Sequence, residues 1–156
     1  MESKDRLIRV HFWKGDGLIG RIIRRFTWSD YSHVGMELNG WMYEAREFRG
    51  VVKQRWPDSK RSSSAVLELR ISQSDLRKLA EWWECRIGLP YDYWQVVRFI
   101  YRKDETASTK PKYFCSEALV DSLAYIGINL FERVPSYKIS PGWVYRSPLF
   151  KGETNE

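Results

Sequence analysis

Alternating and helically spaced apolar positions divide the first third of the chain into separate elements. Alternating β-forming residues predict a strand from Leu7 to Phe12, and apolar positions three and four residues apart predict a short amphipathic helix from Leu18 to Phe26. Two β-rich runs, Ser32 to Leu38 and Trp41 to Ala45, flank the dipeptide Asn39-Gly40. Because both turn residues tolerate positive φ, this pattern predicts a two-residue type I′ hairpin.

The middle of the chain predicts two more strands and a capped helix. The strands are expected from Val51 to Trp56 and from Ala65 to Ile71, with a polar loop from Pro57 to Ser64 between them. A helix cap is predicted at Ser72, because an acidic residue follows three positions later. The helix is expected to stop at Gly88-Leu89-Pro90. Its apolar face consists of Leu76, Leu79, Ala80, Trp83 and Ile87.

Helices dominate the last part of the chain. They are predicted from Tyr93 to Tyr101, from Phe114 to Ile126, and after Ser140-Pro141, where proline occupies the first helical position. An exposed polar loop is expected from Lys103 to Lys112. Because strands come first and helices later, the order favours an α+β fold over alternating α/β units.

Length and composition are those of one globular domain. The 156 residues are 43% hydrophobic and 29% charged, which excludes general disorder. Single domains commonly span about 100–200 residues, so we expect one domain over residues 1–156. Aromatic residues make up 15% of the chain, and Trp and Tyr suit half-wet grooves. An aromatic-walled cleft is therefore expected.

The first residues of the chain and its few possible metal ligands limit the kinds of function that we expect. No apolar stretch follows a basic head in the first six residues, and no apolar run approaches the roughly 18–20 residues of a membrane span. We therefore expect cytoplasmic synthesis, with a phage particle or another carrier for any delivery to the cell envelope. Two cysteines and two histidines without C-x-x-C or H-x-x-x-H spacing predict no disulfide framework, metal site or cofactor.

A net charge of +6 favours anionic partners such as an envelope polymer, a phospholipid surface or nucleic acid. The alternative is that the basic residues form a solvent-exposed face that binds no partner. Nucleic acid is the least favoured partner, because no nucleic-acid-binding motif accompanies the charge.

The two cysteines differ in their surroundings. Cys115 follows a proline-containing loop and precedes a helix-forming run, so it is expected at a helix N-terminus. Unpaired N–H groups and the helix dipole there favour the thiolate, which is the nucleophilic form. The alternative for Cys115 is a small buried hydrophobe. Cys85 is expected to be structural, because it lies within the predicted helix and has no activating neighbour.

The hairpin register places a histidine and a carboxylate on one side of the sheet. With Asn39-Gly40 as the loop, Glu44 pairs opposite Gly35 and lies diagonal to His33, within side-chain reach. A carboxylate there is able to fix the imidazole tautomer beside a nucleophile. Glu37 shares this face and is the rival partner, although it lies nearer the hairpin tip. His11 is expected to be an ordinary strand residue.

Three segments together resemble the circularly permuted NlpC-type papain-like cysteine hydrolases. They are Tyr31 to Met36, Tyr43 to Ala45 with Gly50-Val51 beyond, and Tyr113 to Leu119. This group includes the YiiX-like bacterial proteins and is similar to the lecithin:retinol acyltransferase branch. The stretch Ile87 to Asp92 also resembles the Gly-x-Pro-Tyr segment that walls the active site in such enzymes.

The resemblance implies a permuted papain-like fold, in which the cysteine helix packs on a central antiparallel sheet. It implies that Cys115 is the nucleophile, His33 the general base and then acid, and Glu44 the residue that orients the imidazole. The backbone N–H of Cys115 would contribute to an oxyanion hole. Tyr91 and Tyr31 are expected to wall the pocket or donate to the oxyanion, with aromatic packing in the core as their alternative.

The expected activity is thus a thiol hydrolase that cleaves an amide bond of the cell-wall peptide type through an acyl-enzyme. One alternative is a hydrolase or acyltransferase acting on a lipid acyl ester or amide. Another is a binding module of the same fold whose triad is idle.

Overall fold

One five-stranded antiparallel sheet organises the part of the chain that the computed structural model describes, residues 5–94, 96–97 and 112–150. Its strands are β1 (Arg6–Trp13), β2 (His33–Leu38), β3 (Trp41–Arg46), β4 (Gly50–Arg55) and β5 (Ala65–Ile71). They lie in the order β4-β3-β2-β1-β5. The α-helices that lie entirely within these residues are α1 (Leu18–Thr27), α2 (Gln73–Glu84), α3 (Cys115–Tyr125) and α4 (Pro141–Tyr145). The predicted α+β class is confirmed.

The hairpin between β2 and β3 has the predicted turn and register. Asn39 and Gly40 both have positive φ, 50° and 76°, as a type I′ turn requires. Leu38 pairs with Trp41, and the pairing continues to Met36 opposite Tyr43. The turn therefore sets which side chains of the two strands share a face.

Helices cover the apolar face of the sheet. Ile8, Val10 and Phe12 alternate along β1, and each is completely buried. Helix α3 packs against β2 and β3, and α2 packs against α3. This packing fixes the N-terminus of α3 relative to the strands that carry the histidine and the carboxylate.

The helix that follows β5 begins as predicted and ends earlier than predicted. The Ser72 hydroxyl accepts a hydrogen bond from the backbone N–H of Asp75 at 3.1 Å, which confirms the cap. The helix ends at Glu84, so Cys85 is its exposed C-terminal cap rather than an interior residue. Ile87 lies beyond the helix and is exposed. Apolar periodicity does not show at which residue the helix ends. Gly88 was expected to end it, but the last helical residue, Glu84, lies four positions earlier.

A backbone connection joins the outer edge of the sheet to the start of α3. Val51 N–H donates to the carbonyl of Leu89 at 2.9 Å, so the segment after α2 pairs with β4. Two residues further on, Tyr91 forms a bridge with Tyr113, and Tyr113 N–H donates to the carbonyl of Pro90 at 3.1 Å. The residues directly before Cys115 are therefore tied to the sheet through this segment.

Two predictions fall partly or wholly outside the described residues. Positions 93, 94, 96 and 97 are helical, and the rest of the predicted helix to Tyr101 lies outside. The predicted polar loop from Lys103 lies outside as far as residue 111. Within the described ranges, no helix combines the length and apolar character needed to cross a membrane.

The contact between Gly50 and Leu89 gives a prediction for stability. Gly50 has φ of +72°, and a Cβ there would lie 2.1 Å from the Leu89 carbonyl oxygen. Gly88 has φ of +89° but open space around it. Urea unfolding should show that Gly50→Ala loses about 2 kcal/mol more stability than Gly88→Ala, because only the former adds a clash to the φ strain. Equal losses would contradict this role of Gly50.

Candidate active site

Cys115 is the first residue of α3 and is almost completely buried, with 1% exposure. The Phe114 backbone N–H donates to the Glu117 carboxylate at 3.4 Å, which supports the helix start. The N–H groups of a first helical turn have no partner within the helix, and they favour negative charge nearby. Cys115 Sγ lies 3.9 Å from the carbonyl oxygen of Ser32, the residue before His33.

His33 lies between the thiol and a carboxylate. Its Nε2 is 2.5 Å from Glu44 Oε2. The ring lies close enough to Cys115 for the thiol to affect its pKa, and Nδ1 is the nitrogen that Glu44 does not bind. Burial lowers the pKa of His33, but the hydrogen bonds and negative charges of Cys115 and Glu44 raise it to about 9. The imidazolium is therefore the favoured form at neutral pH.

Glu44 is completely buried and has charged neighbours. Arg61 donates to both carboxylate oxygens, through Nη1 to Oε1 and through Nη2 to Oε2 at 2.9 Å. Burial raises the pKa of Glu44, but the hydrogen bonds and positive charges of His33 and Arg61 lower it to about 2. Glu44 is therefore held as a carboxylate and keeps the imidazole in one orientation.

Gly35 leaves the space in which the histidine and the carboxylate meet. A Cβ at Gly35 would lie 3.0 Å from Met42 Sδ and 3.2 Å from Glu44 Cβ. A side chain there would push Glu44 away from His33. The predicted diagonal contact across the hairpin is thus present, and the glycine between the two residues makes room for it.

Sequence reasoning missed Arg61. This residue lies in the strap, our name for the loop Pro57–Ser64 between β4 and β5. Its guanidinium lies 4.0 Å from the centre of the Trp13 ring, and the Trp13 ring centre is 5.3 Å from that of His33. The only signal in the sequence was a basic residue in a polar loop, which does not reveal a partner 17 positions away.

Glu37, the rival partner, binds a different histidine. Glu37 Oε2 is 2.7 Å from His11 Nε2, and Glu37 Oε1 is 3.5 Å from Arg9 Nη1. His11 is also more than an ordinary strand residue, because its Nδ1 contacts the Ser63 hydroxyl at 2.9 Å. The two acids of the hairpin therefore serve two separate histidines.

Tyr91 and Tyr31 lie in different surroundings. Tyr91 is buried against Phe114, and burial together with the negative charges of Cys115 and Glu47 raises its pKa well above the usual value. Its phenol therefore stays protonated near the thiol. Tyr31 packs on Phe12 and Tyr145, in the aromatic packing that was its alternative. Neither tyrosine lines the cleft described next.

A cleft of about 380 Å³ opens beside His33. Its walls come from the end of β1, the start of α1, the turn after β3 and the strap. The lining residues include Trp13, Lys14, His33, Arg46, Glu47, Phe48 and Arg61. Aromatic and basic side chains therefore surround the accessible edge of the histidine, as the composition predicted.

This arrangement is able to perform nucleophilic chemistry. A thiol at a helix N-terminus lies beside an imidazole, and a buried carboxylate orients that imidazole. In the described part of the chain, no group of three or more His, Cys, Asp or Glu side chains is placed to hold a metal ion.

Comparison with known proteins shows the fold. No family model matches the sequence, and no curated protein matches it. The chain is similar to the crystal structure of metalloprotein yiiX from Escherichia coli O157:H7, DUF1105, with a TM-score of 0.61 and 18% identity. The alignment covers 96% of this chain and 95% of that chain. The chain therefore has a YiiX-like fold over nearly its whole length.

The contact between Arg61 and Glu44 predicts a loss of both stability and thiol reactivity. Arg61→Ala leaves the buried Glu44 carboxylate without its guanidinium, so the free energy of unfolding should fall by about 3 kcal/mol in urea titrations. Alkylation of Cys115 by iodoacetamide should also slow by about tenfold, because Glu44 no longer fixes the imidazole.

Two variants serve as controls for this prediction. Arg61→Lys keeps the charge but not the two-pronged geometry, so it should restore much of the stability and only part of the reactivity. Lys60→Ala alters an exposed neighbour on the strap and should change neither quantity. Wild-type reactivity in Arg61→Ala would contradict a role for Arg61 in the site.

Proposed function

We propose that the protein is a thiol hydrolase that cleaves amide bonds through an acyl-enzyme. The observation that carries this proposal is the position of the Cys115 thiol, 3.9 Å from the carbonyl of the residue before His33, while His33 Nε2 is 2.5 Å from the buried Glu44 carboxylate. Orientation of a catalytic base is a specific reason for this arrangement.

The reaction follows from the positions of these groups. His33 holds the proton of the Cys115 thiol, and the Cys115 sulfur attacks the carbonyl carbon of the amide. The N–H groups at the start of α3 stabilise the tetrahedral oxyanion, and such donors contribute about 3 kcal/mol to transition-state stabilisation. The C–N bond then breaks as His33 gives its proton to the leaving amine. Water, deprotonated by His33, hydrolyses the thioester and regenerates the thiol.

The chain order and the cleft support a more specific assignment. His33 and Glu44 precede Cys115, which is the order of a circularly permuted papain-like hydrolase of the NlpC type. A cleft with Trp13, Phe48 and basic residues suits a peptide amide of the cell wall, whose polymer is anionic. The yiiX neighbour is described as a metalloprotein. Among the described residues of this chain, no group of three or more His, Cys, Asp or Glu is placed to hold a metal ion.

Exposed apolar side chains favour a second candidate substrate, an acyl lipid. Phe48 lines the cleft and is 86% exposed, and Leu18 at the start of α1 is 76% exposed. Both would suit contact with an acyl chain, which is the substrate class of the lecithin:retinol acyltransferase branch. The same thiol chemistry would then act on an ester or amide of a fatty acid.

Product analysis by mass spectrometry separates these substrates. The protein is incubated with muropeptides and, in parallel, with acyl phospholipids. The proposal predicts cleavage of one amide in the muropeptides, and loss of cleavage by at least about 10³-fold in Cys115→Ala and His33→Ala. Cys85→Ala is the matched control and should keep full activity. Products from the lipid alone would establish the second candidate.

Thiol labelling distinguishes the hydrolase from an idle binding module. Iodoacetamide should modify Cys115 near neutral pH faster than Cys85, although Cys85 is the exposed cysteine. If both cysteines react slowly at similar rates and no substrate is cleaved, the idle module is the correct interpretation.

A further inference from the structure

The strap carries Arg61 to the candidate site, and its own turn is held locally. Asp58 supplies two acceptors: its carboxylate accepts from Lys60 N–H at 3.0 Å and its carbonyl accepts from Arg61 N–H at 3.2 Å. These bonds fix the shape of the turn. They do not fix its distance from the sheet, so other contacts must set the position of Arg61 over Glu44.

Contacts with β1 and the residue after it hold the C-terminal end of the strap. Ser64 N–H donates to the Phe12 carbonyl at 2.7 Å, and the Ser64 hydroxyl accepts from Lys14 N–H at 3.3 Å. Ser63, two residues after Arg61, contacts His11 Nδ1 at 2.9 Å. The contact between Ser63 and His11 joins two side chains, so it depends directly on the identity of both residues.

The direction of this side-chain contact follows from the chemistry of His11. The residue is 4% exposed, and burial lowers its pKa, so the imidazole carries one proton at neutral pH. The Glu37 carboxylate at Nε2 only accepts, so the proton lies on Nε2. Nδ1 therefore accepts from the Ser63 hydroxyl. Arg9, held by Glu68 at 2.8 Å, keeps Glu37 in place.

His11 also contacts the ring that Arg61 covers. The rings of His11 and Trp13 are stacked with centres 5.9 Å apart, and Trp56 meets both rings edge-on. Trp13 lies beneath the Arg61 guanidinium and beside His33. His11 is thus connected to the site through the strap and through this aromatic group.

We propose that His11 and Ser63 are positioning residues of the candidate site, which hold the strap so that Arg61 stays on Glu44. This proposal rests on the thiol-hydrolase function proposed above. The residue types Ser63, His11 and Glu37 are also those of a serine hydrolase triad. However, Ser63 lies in the strap and not at a helix N-terminus, where Cys115 has N–H groups for an oxyanion, so the arrangement serves position rather than attack on a substrate.

A double-mutant cycle on the full chain tests the proposal through the rate of Cys115 alkylation by iodoacetamide. Ser63→Ala should slow alkylation by roughly tenfold, and Ser63→Thr, which keeps the hydroxyl, should restore it. Ser62→Ala removes an exposed hydroxyl from the neighbouring position and should have no effect. Because Ser63 acts through Arg61, Ser63→Ala combined with Arg61→Ala should be no slower than Arg61→Ala alone.

Several results would overturn the proposal. It is wrong if Ser63→Ala alkylates at the wild-type rate, or if the effects of the two substitutions multiply. It is also wrong if Ser63→Ala abolishes turnover while Cys115 alkylation is unchanged, since Ser63 would then be a nucleophile. Alkylation needs no substrate, so failure to find turnover would count against the hydrolase and not against this positioning role.

A second measurement applies even if Cys115 resists alkylation. Hydrogen exchange of the Arg61 guanidinium, followed by NMR, reports directly on its contact with Glu44. Exchange should be slow in the wild type and in Ser62→Ala, and at least several-fold faster in Ser63→Ala and His11→Gln. Equal protection in all four proteins would overturn the proposal.

Discussion

The buried carboxylate of Glu44 is the constraint on which the site depends. A charge without exposure is stable in a protein only when it is paired and hydrogen-bonded, and Glu44 meets this condition through Arg61 and His33. The two partners come from the strap and from β2, while Glu44 itself belongs to β3. One carboxylate, through its two partners, thus links three separate segments and orients the imidazole next to Cys115.

The two faces of the sheet have different roles. The apolar face of β1, β2 and β3 packs under the helices and positions the start of α3, where Cys115 lies. The other face carries polar groups that are buried or partly buried, including both histidines and both acids of the hairpin. His33, at the beginning of β2, belongs to this polar layer and follows Ser32, whose carbonyl oxygen is 3.9 Å from the Cys115 sulfur. A catalytic group between the two layers is held rigidly by the packed core and lies close to the charged side chains of the polar layer.

Local sequence patterns predicted the contact between His33 and Glu44, because the hairpin determines it. Asn39-Gly40 fixes the turn, the turn fixes the register, and the register brings Glu44 to His33. Arg61 could not be found in this way, because the path of the strap depends on contacts with β1 that no local pattern encodes. The same limit explains Glu37, whose partner His11 belongs to a strand paired at long range. The prediction that Cys85 lies inside a helix was wrong, because helical periodicity does not show at which residue a helix ends.

NMR titration of His33 tests the central claim most directly. The account predicts a pKa of about 9 in the wild-type protein, raised by Cys115 and Glu44 against the lowering effect of burial. In Glu44→Gln the carboxylate charge is gone, so the pKa of His33 should fall toward the usual value of about 6.5. A His33 that titrates near 6.5 in both proteins would contradict the account.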